Sequence, residues 1–307
     1  MSAATWAVIV NWNGGEANLD CIRSILVQGL PESQIIFVDN ASTDGSMEAV
    51  AAARPGVQIL RNKRNVGFGY GANRGIEHAL ERGAERVLLV NNDAVLYEGM
   101  LELLHDELDH ESDVGIVGPR ICLRAEPDIV WAAGGAITFR QNISTLIGFR
   151  EPDGPEFHNT YDVDFVTGCV MLVRREVFEE AGLLEGAYFA YHEDVEFGIA
   201  ASEAGFRSRI VGKALALHDA HSSTGGGYNP RRKYMMGVNT VWFLRRHGSP
   251  ARWLSFAVYD VATLPFAWLT HALRGEGQAV RAKARGIWDG LRGLRVSEES
   301  LRAWSLR

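Results

Sequence analysis

Short apolar runs alternate with longer stretches of helical periodicity over residues 1–90, and this alternation constrains the fold more than any other feature. None of the runs shows the regular polar alternation of a half-exposed strand. Strands joined by helices of about a dozen residues form parallel sheets with right-handed crossovers. The sequence therefore predicts an α/β fold whose mostly parallel central sheet is flanked by helices, with strands at WAVIV 6–10, QIIFV 34–38, VQIL 57–60 and RVLLV 86–90.

The spacing of apolar residues predicts the remaining elements. We expect helices over residues 17–28, 46–53, 70–82, 175–181 and 193–205. Ser42 or Thr43 is the expected cap of the second helix. We expect further strands over residues 114–117, 136–139 and 163–173. The glycines and prolines of residues 140–161 predict a mobile loop over one face of the sheet.

Composition excludes several classes of protein. The chain has 307 residues and a net charge of −7, so no overall basic field exists to hold nucleic acid. The three cysteines form neither a disulfide framework nor a CxxC metal pair, which favours a reducing cytoplasm. Residues 1–5 carry no Lys or Arg, so no signal peptide is expected.

Polar side chains follow the predicted strands at the point where each strand ends. They are Asn11 and Asn13, then Asp39, then Asn91 and Asp93. Ligands of open α/β sheets bind at the carboxyl edge of the strands. The sequence therefore predicts a ligand site at this edge, although Asp39 and the ASTDGS turn after it also suit a capped helix entry.

The NND turn at 91–93 can hold a divalent cation. A carboxylate at a strand end suits Mg²⁺ or Mn²⁺ held partly by substrate phosphates, although the same residues make an ordinary turn. His218 or His221 could complete the metal shell, or either could be structural. The chain contains neither GxGxxG nor GxxxxGK[ST], which disfavours a dinucleotide fold and a P-loop.

Two adjacent acids, Glu193 and Asp194, open a predicted helix directly after an aromatic run. Acids at a helix N-terminus are stabilised by the helix dipole, which accounts for one of them. A carboxylate walled by aromatic rings can also act as a general base. Glu196 continues the helix and is expected to be solvated.

The composition changes at Pro250. Residues 253–273 are rich in aromatic and aliphatic side chains, and residues 274–295 are basic and interrupted by glycines. The length of 253–273 suits a bilayer span, but Asp260, Pro265 and His271 argue against one. We expect this helical tail, residues 249–307, to lie on a membrane surface, with packing on the domain or a homodimer interface as alternatives.

Together these segments resemble the family 2 glycosyltransferases of GT-A fold, and most closely the bacterial rhamnosyltransferase-like members that build cell-surface polysaccharides. The resemblance covers residues 5–245. Its motifs in chain order are VIVNWNG (8–14), FVDNASTDGS (37–46), RNVGFGYGANRG (64–75), LLVNNDA (88–94), VTGCVMLVRREVFEEAGLLEG (166–186), YFAYHEDVEF (188–197) and ALHDAHSSTGG (216–226).

The resemblance implies a GT-A domain over 1–248. Residues 1–110 would form its nucleotide-binding half and residues 111–248 its acceptor and catalytic half. Asp39 matches the contact to the nucleotide base, with Asn11 and Asn13 beside it. Asn65, Gly67 and Asn73 lie in the segment that wraps the nucleotide and diphosphate.

The resemblance also implies the chemistry. Asn91 and Asp93 match the outer positions of the DxD metal motif, in which Asn91 replaces an aspartate, and His218 matches a histidine that joins the metal. Asp194, beside Glu193, matches the base of an inverting transferase. Glu196 stands where Asp is usual and Ala200 where Arg is frequent, which leaves the acceptor-side contacts open.

The expected function follows from these roles. The resemblance implies transfer of a sugar from a nucleotide-diphosphate donor, dTDP-rhamnose or a UDP-sugar, with Mg²⁺ or Mn²⁺. The acceptor would be a hydroxyl of a cell-surface glycan or a lipid-linked molecule, and the enzyme would lie on the inner face of the cytoplasmic membrane. The alternatives are an inactive nucleotide-sugar binder or scaffold, and a nucleotidyltransferase, although NWNGG lacks the basic residue of a nucleotidyltransferase phosphate loop.

Overall fold

The apolar runs of the N-terminal region form a parallel sheet. The computed structural model describes residues 4–140, 142–219 and 228–304. The strands of this region are β1 (Thr5–Asn11), β2 (Ile35–Asp39), β3 (Gln58–Arg61) and β4 (Arg86–Asn91), in the spatial order β3-β2-β1-β4. All three pairings are parallel, as the alternation of strands and helices predicts. The connecting helices are α1 (Ala17–Val27), α2 (Ser46–Ala53) and α3 (Phe68–Glu81).

The sheet continues with mixed pairing. Its further strands are β5 (Ala94–Leu96), β6 (Val114–Leu123), β7 (Val130–Ala132), β10 (Thr160–Val163), β11 (Val170–Arg174) and β12 (Arg207–His218). β11 lies antiparallel between β4 and β6, and β6 pairs in parallel with β12. β10 and β5 pair antiparallel with β12, and β7 pairs antiparallel with β6. The α/β class is confirmed, with the parallel order confined mainly to the first half.

Both faces of the sheet are covered, which explains the continuous apolar runs. Ile9 and Phe37 point into one core layer, whereas their neighbours Val8 and Val38 point into the other. These four side chains are fully buried. A strand with two buried faces cannot show polar alternation, because each successive side chain enters a core.

The middle third differs from several expectations. The loop expected over residues 140–161 contains strand β9 (Ser144–Leu146), which pairs with β8 (Gly135–Ile137), and the 3₁₀ turn Pro155–His158. The single strand expected over 163–173 is two strands, β10 and β11, separated by a turn at Gly168. β12 was not predicted, because its pairing with β6 shifts register between Val211 and Leu215 and breaks the pattern.

The expected cap of α2 is also wrong. Gly45 occupies the N-cap position with φ +79°, and Asp44 accepts the backbone N–H of Ser46 at 3.1 Å. A left-handed backbone at that position favours glycine. Ser42, one of the two expected caps, bonds instead to the loop after β1.

The C-terminal region is helical, as expected. The helices after α3 are α4 (Met100–His110), α5 (Arg175–Glu180), α6 (Glu193–Glu203), α7 (Pro230–His247), α8 (Pro250–Phe256), α9 (Leu264–Ala272), α10 (Gly277–Leu291) and α11 (Glu298–Arg302). A π-helical turn, Ala257–Val261, connects α8 to the segment before α9. None of the helices in the described ranges combines the length and apolar character that crossing a membrane requires.

Helix α10 packs closely on α7. A Cβ at Gly286 would lie 2.2 Å from the carbonyl oxygen of Tyr234, so only glycine allows this approach. The ammonium of Lys283 lies 2.6 Å from Asp260 and 2.9 Å from the side-chain oxygen of Asn142, and both charged side chains are buried. α10 is therefore built into the fold, and the boundary predicted at residue 248 falls in the turn between α7 and α8.

Candidate active site

The carboxyl ends of β1 and β2 are joined by a buried polar network centred on Asn11. Its side-chain amide donates to Asp39 at 3.0 Å and to the hydroxyls of Ser42 and Ser46 at 2.9 Å each. The second oxygen of Asp39 accepts the backbone N–H of Ser42 at 3.1 Å. Asn11 and Asp39 are thus brought together as the sequence predicts. Each Asp39 oxygen has one partner here and can accept another.

The neighbouring loops approach this network closely. The amide of Asn92 donates to the side-chain oxygens of Asn11 and Asn18, at 3.2 Å each. A Cβ at Gly14 would lie 1.9 Å from the Asn92 amide nitrogen, so glycine is required there. Asn13 has a φ of +53° and accepts the backbone N–H of Thr43 at 2.8 Å. Sequence reasoning placed Asn92 in the NND turn without predicting this contact, and it missed Asn18 of α1.

The entrance of α3 touches the loop that precedes the acid pair. Asn65 accepts the backbone N–H of Gly67 at 2.9 Å, and the carbonyl of Gly67 accepts the amide of Asn40 at 3.0 Å. A Cβ at Gly67 would lie 2.4 Å from the carbonyl oxygen of Phe189. Asn65 and Gly67 therefore form the point where the predicted nucleotide-binding half meets the predicted catalytic half.

Asn73 makes a second junction between the halves. Its amide donates to the carbonyl of Leu184 at 2.7 Å, and its side-chain oxygen accepts the N–H of Leu184 at 3.1 Å. Both polar atoms of the side chain are thus engaged with one backbone residue. In this structure Asn73 fixes the loop before Tyr188, and its predicted contact with the nucleotide stays a prediction.

Asp93 and His218 lie together at the ends of β4 and β12. The imidazole Nε2 of His218 is 3.2 Å from Oδ1 of Asp93, and both side chains are buried. Burial lowers the pKa of His218, but the neighbouring Cys169 and Asp93 outweigh it and raise the pKa well above its ordinary value. Asn91 is anchored through its backbone, whose N–H donates to the carbonyl of Cys169 at 2.7 Å. His221, the alternative histidine, lies outside the described residues.

The Asp93–His218 pair fits Mg²⁺ or Mn²⁺ as a partial site. A carboxylate oxygen and a neutral imidazole nitrogen are suitable donors, and a cation bound there would displace the proton that Asp93 stabilises on His218. Nδ1 of His218 is buried with no hydrogen-bond partner in the described chain. No cluster of three or more His, Cys, Asp or Glu side chains with metal-binding geometry occurs in the described ranges. Substrate phosphates and water would have to supply the remaining ligands, which is the usual arrangement for Mg²⁺.

The acid pair opens α6 beside the turn at Gly168. Asp194 accepts the backbone N–H of Gly168 at 3.2 Å through one oxygen and that of Val195 at 2.9 Å through the other. Burial raises the pKa of Asp194, and these two N–H donors oppose the rise. Burial and then the charge of Asp194 raise the pKa of Glu193 to about 8.

The two acids lie in different environments. Glu193 is buried, and its Oε2 has no hydrogen-bond partner in the described residues. Its carboxyl group therefore favours the protonated form, whereas the two backbone N–H donors favour the charged form of Asp194. Asp194, whose two carboxylate oxygens each accept a backbone N–H, stays the predicted base.

The segment before the acid pair has an unusual backbone. Phe189, Tyr191 and His192 all have φ between +68° and +78°, in the left-handed region that non-glycine residues seldom adopt. Asn239 of α7 donates its amide to the carbonyls of Tyr188, Ala190 and Tyr191 at 3.0, 2.8 and 2.9 Å. Sequence reasoning missed this buried asparagine.

Glu196 is not solvated, contrary to expectation. It is buried, and its Oε2 accepts the hydroxyl of Tyr188 at 2.9 Å. Its Oε1 lies 2.8 Å from Nε of Arg246 and 2.9 Å from Nε2 of His247. The residue one turn into α6 thus connects the helix to α7 instead of facing water.

Comparisons with known proteins agree with this architecture. The chain is 28% identical over 212 residues to N-acetylglucosaminyl-diphospho-decaprenol L-rhamnosyltransferase of Mycobacterium tuberculosis, covering 62% of this chain and 68% of that protein. It is 23% identical to dTDP-rhamnosyl transferase RfbF of Shigella flexneri, covering 81% of this chain and 83% of the relative.

Solved structures share the fold. Mannosyltransferase PcManGT from Pyrobaculum calidifontis, in complex with GDP-Man and Mn²⁺, aligns with a TM-score of 0.57 and 16% identity over 99% of this chain and 79% of its own. GalNAc-T7 with UDP, GalNAc and Mn²⁺ aligns over 70% of this chain with a TM-score of 0.56 and 16% identity, and this chain spans 43% of its length. The predicted GT-A fold is therefore confirmed. The family model described as glycosyl transferase family 2 matches residues 6–182, more than half of the chain, and the protein belongs to that family.

Proposed function

We propose that this glycosyltransferase moves a sugar from a nucleoside-diphosphate donor to an acceptor hydroxyl in a single inverting displacement. The observation that carries the proposal is the acid pair at the start of α6, where the backbone N–H groups of Gly168 and Val195 orient the Asp194 carboxylate beside the buried Glu193. Two relatives are named as rhamnosyltransferases, one of them as a dTDP-rhamnosyl transferase. dTDP-rhamnose is thus the first donor to test and UDP-sugars the second.

The donor nucleotide binds at the carboxyl ends of β1 and β2 in this proposal. Asp39, oriented by Asn11, accepts a hydrogen bond from the base through its remaining lone pairs. The loops carrying Asn13 and Asn65 border the same edge of the sheet. Gly67, whose missing side chain leaves room at Phe189, lets the diphosphate segment approach the catalytic half.

Asp93 and His218 hold the divalent metal, Mg²⁺ or Mn²⁺, together with the donor diphosphate, and Asn91 borders that site. A bound metal ion stabilises the negative charge that develops on the departing nucleoside diphosphate. The residues themselves orient that leaving group at the ends of β4 and β12. Solved relatives of the same fold contain Mn²⁺ with GDP-Man or with UDP, which supports this choice of cofactor.

Asp194 accepts the proton of the acceptor hydroxyl. The acceptor oxygen then bonds to the anomeric carbon while the bond from that carbon to the diphosphate oxygen breaks, and the electron pair leaves with the nucleoside diphosphate. Backbone N–H groups of Gly168 and Val195 keep the Asp194 carboxylate oriented during this step. Because attack and departure are on opposite sides, the product has the inverted configuration.

We also propose that the enzyme works at the inner face of the cytoplasmic membrane on a cell-envelope acceptor, a glycan or a lipid-linked molecule. Exposed apolar side chains cover α8, the π-helical turn and α9, namely Leu254, Val258, Phe266, Leu269 and Leu273. The exposed Arg252, Arg274 and Arg281 lie beside them. Cations around an apolar surface are complementary to an anionic bilayer.

A screen of nucleotide sugars by thermal shift in Mn²⁺ tests the donor proposal. A donor at a hundredfold excess over its dissociation constant stabilises the protein by about 2.7 kcal/mol. The stabilising donor is then incubated with the enzyme, first alone and then with a lipid-linked sugar acceptor, and released nucleoside diphosphate is measured. Binding without any donor turnover, either to water or to an acceptor, would identify a nucleotide-sugar binder and contradict the catalytic proposal.

A further inference from the structure

Three consecutive cations stand at the start of α7, and each lies on an aromatic ring. The guanidinium of Arg231 is 4.9 Å from the ring centre of Trp12, and that of Arg232 is 5.5 Å from Tyr191. The ammonium of Lys233 is 4.2 Å from the ring of Tyr228. The rings hold these long side chains in fixed positions and leave their N–H groups able to bind a ligand.

Within the part of the chain that the structure describes, none of the three cations forms an ion pair, although Glu298 acts on Arg231 and Asp260 on Lys233 from farther away. Among the described residues, no carboxylate lies within 4.0 Å of any of their charged groups, although many other arginines of the chain form ion pairs. All three side chains are partly buried, and Nε of Arg232 is buried with no hydrogen-bond partner in the described structure. Burial, together with Lys283 and Arg232, outweighs the opposing charge of Asp260 and lowers the pKa of Lys233 to about 8. A partly buried, unpaired cation cluster is complementary to an anion.

The aromatic partners show where the cluster lies. Trp12 follows Asn11 at the predicted nucleotide end, whereas Tyr191 lies three residues before Asp194 at the catalytic end. Tyr228 stacks on His271 of α9 with ring centres 3.7 Å apart. The cluster therefore runs from the donor side, past the turn that carries the acid pair, to the helix with the exposed apolar face.

The position of the cation cluster separates two possible anion sites. The donor diphosphate belongs at Asp93 and His218, at the ends of β4 and β12. An anion at Arg232 and Lys233 would instead lie beside Tyr191, which comes three residues before Asp194, and beside Tyr228, which stacks on α9. α9 continues from there with Phe266 and Leu269 and ends before Leu273, and these three mostly exposed side chains could accompany an apolar chain.

We propose that Arg232 and Lys233 bind the diphosphate of a polyprenyl-diphosphate-linked acceptor, whose sugar reaches Asp194 and whose lipid lies along α9. This inference rests on the proposed function and names its acceptor class. Two cations match the two charges of a diphosphate diester, and Asn229, which caps α7 by accepting the N–H of Arg231 at 2.8 Å, fixes the helix start.

The test uses the full chain and two calorimetric titrations. Geranyl diphosphate is titrated with divalent metal removed by EDTA, so that a metal-bridged diphosphate at Asp93 does not contribute. The second titration uses dTDP or UDP, whichever stabilises the protein, in Mn²⁺. The variant is Arg232→Gln with Lys233→Gln, which removes the charges and keeps most of the side-chain length.

The matched control is Arg245→Gln. Arg245 lies on the same helix, on the ring of Trp242 at 4.9 Å, and about 20 Å along the axis from the cluster. Thermal unfolding of both variants shows whether they are folded as the wild type is.

We expect the double variant to bind geranyl diphosphate at least about tenfold more weakly, because two charge-assisted contacts are lost. Its affinity for the nucleoside diphosphate should stay within about threefold, and Arg245→Gln should change neither. Equal weakening of both ligands would assign the cations to the donor diphosphate and overturn the inference. Unchanged binding of geranyl diphosphate, or no binding to the wild type, would overturn it as well. Failure of the wild type to bind any nucleoside diphosphate would instead count against the proposed function.

Discussion

Asn239 donates its side-chain amide to the backbone carbonyl of Tyr191 at 2.9 Å, and this bond connects α7 to the turn that carries the acid pair. The same amide reaches the carbonyls of Tyr188 and Ala190. Left-handed backbone at non-glycine residues costs on the order of 1–3 kcal/mol each, and it persists only where the surroundings enforce it. Asn239 is one such enforcing contact, so we infer that it positions Asp194 indirectly.

Asn239→Leu should therefore lower kcat while leaving the affinity for the nucleoside diphosphate unchanged. The loss of a buried donor to three carbonyls should also lower the free energy of unfolding by about 1–3 kcal/mol. The control is Thr240→Val, since Thr240 is equally buried and its hydroxyl has no partner in the described residues. Equal effects of the two variants on kcat, or a rise in the donor KM alone, would contradict the positioning role.

Asp194→Asn should reduce transfer by about 10² to 10⁴, because an amide cannot accept the acceptor proton at neutral pH. Donor affinity should be nearly unchanged, which calorimetry with the nucleoside diphosphate measures. Glu193→Gln is the matched control: burial favours the neutral form of Glu193, so an uncharged amide should reduce turnover far less. If the Asn variant retained more than about a third of wild-type turnover, Glu193 would become the candidate base.

Asp93→Ala should abolish the dependence of nucleoside-diphosphate binding on Mn²⁺, whereas His218→Ala should weaken it less. Carboxylate oxygen is the preferred protein ligand of these hard cations, and the imidazole is an additional donor. The measurement is calorimetric titration of the nucleoside diphosphate with and without Mn²⁺. Metal dependence that persists unchanged in the Asp93 variant would remove this pair from the mechanism.

The parallel half of the sheet could be predicted because its signals are local. β1, β2 and β4 are continuous apolar runs, each followed by a polar turn that the structure places at one edge. β12 escaped prediction because its irregular pairing with β6 interrupts the strand periodicity at Gly212 and Lys213. A strand can be predicted from its sequence when side chains alternate regularly between its two faces, and a β-bulge interrupts that alternation.

Candidate site residues could be predicted from the sequence only where they lie next to the ends of strands. Asn11 with Asp39, and Asp93 with His218, meet as expected. Asn239 could not be found, because it lies 48 residues from Tyr191 and nothing local distinguishes an asparagine in a helix. Glu196 looked solvated because its partners Arg246 and His247 come from a distant helix.

Stability should respond to acid through His192. Burial lowers the pKa of this imidazole to about 4, and the ring lies 5.9 Å from that of Phe243. The unfolded chain takes up the proton near pH 6.5 and the folded chain only near pH 4, so stability is present above pH 6.5 and is lost as the pH falls toward 4. The full loss is about 3 kcal/mol.

The variant that tests this is His192→Asn, since asparagine tolerates the left-handed backbone at φ +78°. Chemical unfolding of both proteins between pH 7.5 and pH 4 gives the two pH dependences, and only their difference reports His192. We expect a shallower fall for the variant, whatever its absolute stability. Parallel curves would mean that His192 does not titrate in this range.

The last prediction concerns the apolar surface of α9. Removing everything after residue 248 would test membrane binding poorly, because that cut also removes α10, whose Lys283 and close glycine contacts are part of the fold.

Phe266→Ser with Leu269→Ser and Leu273→Ser changes only exposed side chains, which are 56–84% accessible. We expect this variant to lose flotation with anionic liposomes, while Leu291→Ser with Leu294→Ser, which are 45% and 47% accessible on another part of the tail, retains it. Arg274→Gln with Arg281→Gln should weaken flotation in a salt-dependent way, at about 1 kcal/mol per charge. If the wild type never floats and the triple serine variant converts a dimer into a monomer, the surface is an interface between two copies of the chain.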